Sequence, residues 1–221
     1  MVLLGPPGAG KGTQAKLAAK RLGLKHIASG DLFRGQTNVG SDLGKEAQWY
    51  MTQGMLVPDG LAISIALKEL NSKDPEVGVI LDGFPRNLNQ AKKLDDMLEG
   101  NGGKIDVVLL IMVPEAELLN RMQGRRVCTE CQSAFHVFYS PPKSAGQCDF
   151  CGGALYQRED DDEKTTRKRL NVYESETSVL RKYYRQQSKL VEVDGTGDIE
   201  DVSQRLFKEL TDLDSAQTVK V

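Results

Sequence analysis

Short apolar runs alternate along the chain with longer stretches in which apolar residues recur every three or four positions. The runs lie at 1–4, 25–28, 77–81 (VGVIL), 105–113 (IDVVLLIMV) and 190–193. Continuous Val, Ile and Leu runs of this length suit strands covered on both faces. Helical spacing occurs near 11–22, 41–53, 60–71, 87–99, 114–122, 164–187 and 199–211. Within 164–187 it sets Leu170, Tyr173, Leu180 and Tyr184 on one apolar face. Strands alternating with helices predict a parallel sheet of βαβ units. Two regions break the alternation. Residues 28–57 read as helical without a strand, and 124–161 carry cysteines, prolines and glycines and then an acidic run. Both are expected to project from the ligand edge of the sheet, leaving 1–27, 58–123 and 162–221 as the core.

A chain of 221 residues suits one domain with small excursions. Its 29 Lys and Arg nearly balance 31 Asp and Glu, so no global charge draws it to nucleic acid or membrane. No run approaches the roughly 18 apolar residues of a membrane span, and 1–4 is too short for a signal peptide's apolar core. A soluble cytoplasmic protein is expected. All four cysteines fall in two C-x-x-C pairs, Cys128 with Cys131 and Cys148 with Cys151, sixteen residues apart. In a reducing compartment that pattern favours metal, with zinc in a closed tetrahedral thiolate set; iron accepts the same ligands, and an oxidising compartment would give disulfides. The surrounding segment has few large apolar residues: Val127, Phe135, Val137, Phe138, Tyr139 and Leu155. A piece this small cannot build much core, so the metal reads as structural.

"MVLLGPPGAGKGTQAKLA" is an apolar strand, a glycine-rich turn and a helix, the context of a phosphate-binding loop. Gly5, Gly8 and Gly10 let backbone N–H groups converge on phosphate oxygens, Lys11 adds a mobile charge, and the helix contributes its N-terminal dipole. The pattern G-x-x-x-x-G-K-[ST] fits through Lys11 and then fails, with Gly12 in the hydroxyl slot and Thr13 after it. Only four residues precede the loop, so the first strand is short. "VGVILDGFPRNLNQ" ends an apolar strand on Asp82, placed to orient Mg²⁺ or its waters, and a tight turn then presents Arg86. Arginines cluster at 121, 125, 126, 158, 167 and 169; their planar forks suit phosphate, although Arg126, Arg167 and Lys168 also read as solvated helix charge. "HIASGDLFR" taken alone reads as an N-cap at Ser29 with Arg34 on a solvated helix face. The lone Trp49 carries no motif; His26 reads as a residue of the second strand and His136 as a residue of 124–161.

The G-x-P-G-x-G-K-G-T loop and the ordered motifs after it resemble the nucleoside monophosphate kinases, and among them adenylate kinases of the long, zinc-containing type. The resemblance covers nearly the whole chain. It implies a P-loop α/β fold with a five-stranded parallel sheet in order 2-3-1-4-5, an AMP-binding arm at 28–57 and a zinc-bearing lid at 124–161. ATP would bind at Gly8, Ala9, Gly10, Lys11, Gly12 and Thr13, with Arg121 at its base, Arg125 at its phosphates, and Ala134, Phe135 and Gly197 near the base or ribose. AMP would meet Ser29, Arg34, the backbone near Leu56 and Val57, the Gly83–Phe84 turn, Arg86 at its phosphate and Gln90 at its base. Arg158 and Arg169 would contact phosphate. Lys11, Arg86, Arg125, Arg158 and Arg169 are the implied catalytic residues. Asp160–Asp162 resemble hinge carboxylates that pair with these arginines, a solvated turn being the plainer reading. The family usually has an acidic residue where this chain has Gly60. The implied reaction is reversible, Mg²⁺-dependent transfer from ATP to AMP giving two ADP, by a monomer, with no nucleic acid or membrane partner. GTP as donor, or a pyrimidine acceptor, would keep the chemistry; pyrimidine kinases usually have a short lid. A non-catalytic nucleotide switch, or a nucleic-acid binder using the Cys₄ module, is the rival class. A binder needs a basic stripe with interleaved aromatics, whereas here the basic residues flank a nearly neutral loop.

Overall fold

All five apolar runs enter one parallel sheet. The computed structural model describes residues 1–71 and 77–218 and, of these, all side chains but those of 38 and 214–218. The sheet contains β1 (Val2–Leu4), β2 (Lys25–Ala28), β3 (Val79–Asp82), β4 (Val108–Met112) and β8 (Leu190–Asp194), in the order β2-β3-β1-β4-β8. That is the expected order 2-3-1-4-5. Val2 is level with both Leu81 and Val108, and Ala28 with Asp82, so the C-terminal ends of β2 and β3 share an edge. The run at 105–113 pairs only from Val108, its first residues serving as approach.

Nine helices complete the described residues: α1 (Lys11–Leu22), α2 (Ser29–Asn38), α3 (Asp42–Thr52), α4 (Asp59–Asn71), α5 (Leu88–Gly100), α6 (Glu115–Gly124), α7 (Glu163–Val172), α8 (Val179–Gln186) and α9 (Ile199–Thr218). Local chemistry sets several starts: Ser41, Asn87 and Asp162 accept the backbone N–H three residues on, as N-caps do. The sheet's two faces are each covered. Val2, Leu4, Leu81, Val108 and Leu110 pack with Ala91, Leu94, Leu180 and Tyr184 on one side. Leu3, Ile80, Leu109 and Ile111 pack with Ala15, Ala18, Leu118 and Leu206 on the other. The alternation along β1 and β4 is the period of two made visible.

The stretch 164–187 departs from the single apolar face that its spacing predicts. A π turn at Tyr173–Thr177 separates α7 from α8. Leu170 packs in one sheet-face cluster while Leu180 and Tyr184 belong to the other. The wider turn re-aims the helix between a cleft-facing half and a core-facing half, a common use of such turns.

Residues 124–161 hold a second sheet that periodicity does not reveal. Its strands β5 (Arg125–Cys128), β6 (Ala134–His136) and β7 (Leu155–Tyr156) pair antiparallel in the order β6-β5-β7. Of the six apolar residues expected to support it, Val127 and Phe135 are buried and Leu155 packs beside them. Val137, Phe138 and Tyr139 are exposed instead. No helix among the described residues is long and apolar enough to cross a membrane.

Candidate active site

The C-terminal ends of β1, β2 and β3 open into a cleft of about 670 Å³ that runs beneath the 124–161 sheet. Every expected nucleotide-site residue outside the cysteine pairs lines it, from Gly8 through Gly197.

Its floor is the glycine loop. Gly5, Gly8 and Gly10 all take positive φ, at 146°, 85° and 90°, which side-chain-bearing residues rarely adopt. The loop leads into α1, whose cap Gly10 supplies no side-chain acceptor and whose first turn has no acidic residue. Its terminal N–H groups and dipole therefore face the cleft uncompensated, as an anion site requires. Lys11 folds over the loop, its Nζ donating to the Gly5 and Pro6 carbonyls at 2.8 Å each. Burial, with Arg86, Arg169 and Arg125 adding to it against the pull of Asp82, pushes the Lys11 ammonium down to about 8. Gly12, where the strict loop pattern fails, faces Asp82. A Cβ there would stand 3.3 Å from Asp82 Oδ2.

Asp82 closes β3 directly beneath. Burial alone would raise its carboxyl, but the approach of His26 and the charges of Lys11 and Arg86 outweigh that and leave it below the ordinary range. His26 Nε2 lies 3.6 Å from Asp82 Oδ2. An ionised carboxylate at a strand end, across from a phosphate loop, fits a magnesium ion's water shell.

On the arm side, α2 does not start as a Ser cap. Ala28 is its N-cap, with no side-chain bond, and the buried Ser29 donates instead to the Gly83 carbonyl at 2.7 Å. Arg34 is not on a solvated face. It is 18% exposed, bonded to Asp31 at 2.5 Å, and lines the cleft. Leu56 and Val57 lie between α3 and α4 and border the cleft. Gly60 stands in the first turn of α4, where an added Cβ would meet open space. The turn after Asp82 contains a cis Phe84–Pro85 bond. It holds Arg86 by both ends of its backbone: the N–H donates to Gln90 Oε1 at 2.8 Å, and the carbonyl accepts from Thr177 Oγ1 at 2.7 Å. Among the described residues the guanidinium has no ion-pair partner, and it bonds Gly83 O through Nε at 2.7 Å. Burial and the nearby Arg169 charge push it down to about 10.

The remaining cations come from the roots of the small sheet and from α7. Arg125 donates to both oxygens of the fully buried Asp161, at 2.8 and 2.5 Å. Arg169 pairs with Asp160 at 2.8 Å and with Asp161 at 3.2 Å. Asp162 caps α7. The acidic run is thus two arginine partners and a cap rather than a solvated turn. Arg158 has only a loose approach to Asp31, 3.8 Å. Burial, with Arg125 and Arg34 beside it, pushes it down to about 10. The Nε atoms of Arg34 and Arg158 are buried without partners. Crowded cations of this kind, two of them with an unpartnered Nε, have the chemistry that suits anionic oxygens. Arg126 and Arg167 are taken up by local bonds, to Gln123 O and Arg125 O and to Glu163.

At the far end Arg121 pairs with Glu117 and donates to Gly195 O at 2.9 Å, close to Gly197. Ala134 is exposed there, whereas Phe135 turns its ring into the small sheet's core. His136 sits on β6 and accepts from the Phe138 and Tyr139 N–H groups.

The cysteines lie outside the cleft. All four are free, and their Sγ atoms are within 4.8 Å of one another, with Cys128 and Cys151 3.4 Å apart and Cys131 and Cys148 3.5 Å. Such spacing, with two buried and two exposed ligands, suits one tetrahedral ion.

Periodicity and motifs did not single out Asp31, Asp59, Glu117 or Thr177. The only signal was weak: Asp31 and Glu117 stand three and four residues ahead of an arginine on a helix.

The sequence model described as adenylate kinase matches residues 3–189. An adenylate kinase of Streptomyces avermitilis is 48% identical over 218 residues, covering 98% of this chain and 99% of that one. One of Streptomyces griseus is 49% identical, covering 95% and 96%, and one of Archaeoglobus fulgidus is 49% identical, covering 91% and 93%. Likeness at that level, end to end, together with the loop, the strand-end carboxylate and the ring of arginines, leaves one assignment: the chain belongs to the adenylate kinase family.

Proposed function

We propose that the chain transfers the terminal phosphoryl group of ATP to AMP, reversibly and in line, giving two ADP, with the 124–161 segment closed as a lid over both nucleotides. The observation that carries this reading is the convergence of Lys11, Arg86, Arg125, Arg158 and Arg169 on one cleft. Phosphoryl transfer asks little covalent chemistry of a protein; positioning and neutralisation of spread negative charge carry the rate. In this reading the loop 8–13 cradles the ATP phosphates, Arg121 lies against its base, and Ala134, Phe135 and Gly197 border base and ribose. Ser29, Arg34, the backbone at Leu56, Val57, Gly83 and Phe84, and the side chains of Arg86 and Gln90 receive AMP. Arg125, Arg158 and Arg169 meet the transferring phosphates, and Asp160 and Asp161 exchange their arginines with phosphate oxygens. Magnesium bound with ATP supplies charge neutralisation, and Asp82 is the residue that would hold its waters. Cys128, Cys131, Cys148 and Cys151 would hold zinc, stiffening the lid so that it swings as a unit on the arm and core. Exclusion of water by that closure protects ATP from hydrolysis. The enzyme is read as a cytoplasmic monomer acting on ATP, AMP and ADP, with no nucleic acid or membrane partner.

A second reading keeps the acceptor and changes the donor to GTP. It is favoured by the donor end, where backbone at Gly195 and Gly197 and the side chain of Arg121 offer no base-reading amide. One experiment separates the two: a coupled assay of diphosphate formation with Mg²⁺, crossing ATP and GTP against AMP, GMP, CMP and UMP. Turnover confined to ATP with AMP is expected. GTP matching ATP selects the second reading, and no turnover from metal-loaded protein overturns both.

A further inference from the structure

We infer that Asp59 is the positioning residue that sets acceptor-base specificity, by locking the side-chain amide of Gln90 in one orientation; the inference rests on the reading that Gln90 faces the AMP base.

A glutamine amide has two nearly isosteric ends of opposite hydrogen-bonding character. Turned one way it presents a donor and an acceptor in the order that complements adenine, which offers N6–H and accepts at N1. Turned by half a revolution it complements hypoxanthine or guanine, which accept at O6 and donate from N1. An amide free to turn would read neither. Gln90 is not free. It is 1% exposed, so water cannot re-satisfy a turned amide. Its Oε1 accepts from the Arg86 backbone N–H at 2.8 Å, and its Nε2 donates to Asp59 Oδ1 at 2.8 Å. A backbone N–H can only donate and a carboxylate can only accept, so turning the amide would set donor against donor and acceptor against acceptor at once. One N–H and one lone pair remain for a ligand on the cleft side.

Asp59 is itself fixed as an acceptor. Asn87 Nδ2 shares Oδ1 at 2.7 Å, and Asn89 Nδ2 bonds Oδ2 at 2.7 Å. Burial would raise its carboxyl, but the bonds from Asn89, Asn87 and Gln90 outweigh that and hold it below the ordinary range. Asp59 does not line the cleft itself. It opens α4 directly after the Leu56–Val57 backbone, so one carboxylate ties together the two segments between which the acceptor base would lie.

The test compares AMP and IMP as acceptors with ATP as donor, IMP differing from AMP only at positions 1 and 6 of the base. The full-length, metal-loaded protein is measured beside Asp59→Asn, whose amide cannot match every donor around it. Asp59→Asn is expected to lower the AMP-to-IMP ratio of kcat/KM about tenfold, the size of one mispaired buried hydrogen bond. The loss should fall on the AMP KM, with the ATP KM and thermal midpoint little changed. If this variant does not fold, the exposed Asn89→Asp sets a like charge against Asp59 and should shift the ratio in the same direction. Equal loss for AMP and IMP in the folded variant makes Asp59 merely structural and overturns the inference. Wild-type protein that uses IMP as well as AMP removes the specificity and overturns it too. Wild-type protein that uses neither acceptor fails the proposed function instead, so the two failures are distinguishable.

Discussion

The parallel sheet and the small lid sheet solve the same problem by different means. The large sheet is buried on both faces, and residues such as Leu109, Ile80 and Leu206 are shielded completely. Each fully buried side chain of that kind contributes on the order of 2 kcal/mol. The lid's apolar cluster contains only Phe135 with Cys128 and Cys148, and Leu155 beside them. A four-thiolate ion would supply there what buried hydrocarbon supplies in the core. On the reading that 124–161 closes as a zinc-bearing lid, a moving part can be rigid without being large, provided its cohesion is coordinative.

The comparison is broken most forcefully by removing the metal. Chelation, or Cys128→Ser, is expected to unfold 124–161 while the core keeps its far-ultraviolet signal, because thiolate coordination contributes on the order of 10 kcal/mol to such modules. Limited proteolysis should then cut only within the lid and activity should vanish; after chelation, though not in Cys128→Ser, added zinc should restore it. A lid that resists protease without metal sinks the contrast.

Next in size, Arg86→Ala strikes the core's chemistry without its architecture. The Arg86 backbone stays anchored by Gln90 and Thr177. Steady-state kinetics should show kcat/KM for AMP falling about 10³-fold, or roughly 4 kcal/mol, as for loss of one preorganised charge-stabilising donor. An unchanged melting temperature is the accompanying requirement.

A matched pair sharpens the comparison further. Leu109→Ala should cost about 3 kcal/mol in denaturant unfolding, and Leu155→Ala in metal-loaded protein under about 1 kcal/mol. Equal costs would mean that the lid relies on packing after all.

The smallest effect concerns Lys11. With its ammonium down at about 8 against an ordinary 10.5, the folded protein holds that proton less tightly than the unfolded chain. Stability from this group is therefore gained as pH rises from about 8 toward 10.5. Phosphate beside Lys11 draws the proton back, so ATP binding above pH 8 should take up a proton and weaken severalfold by pH 9. Calorimetry in two buffers of different ionisation enthalpy reads that proton directly, and Lys11→Met should erase it.

What the sequence made legible was local. The glycine loop, the strand ending at Asp82 and the paired cysteines each carry their chemistry within a few residues. The parallel order followed from alternating strands and helices. What stayed hidden depends on distance along the chain. Thr177 meets Arg86 across 91 residues, and Asp59 meets Gln90 across 31, so neither announces its partner. Ser29 has the composition of a helix cap, yet the carbonyl of Gly83, 54 residues away, claims its hydroxyl. The lid strands span two to four residues, too few for a period of two to register. In 164–187 the spacing reads as one helix because a π turn takes in one extra residue without changing composition.

That extra residue makes the effect of a deletion depend on where it falls, in a way point substitutions would not reveal. Excising one position from Tyr173–Thr177 would let the backbone close into ordinary α-helix with Leu180 and Tyr184 still on the sheet, because the wider turn absorbs one residue. Excising one from Val179–Gln186 instead, where no wider turn takes up the slack, would rotate everything beyond it by about 100°. The reading frame of side chains, rather than their identity, is what this turn keeps.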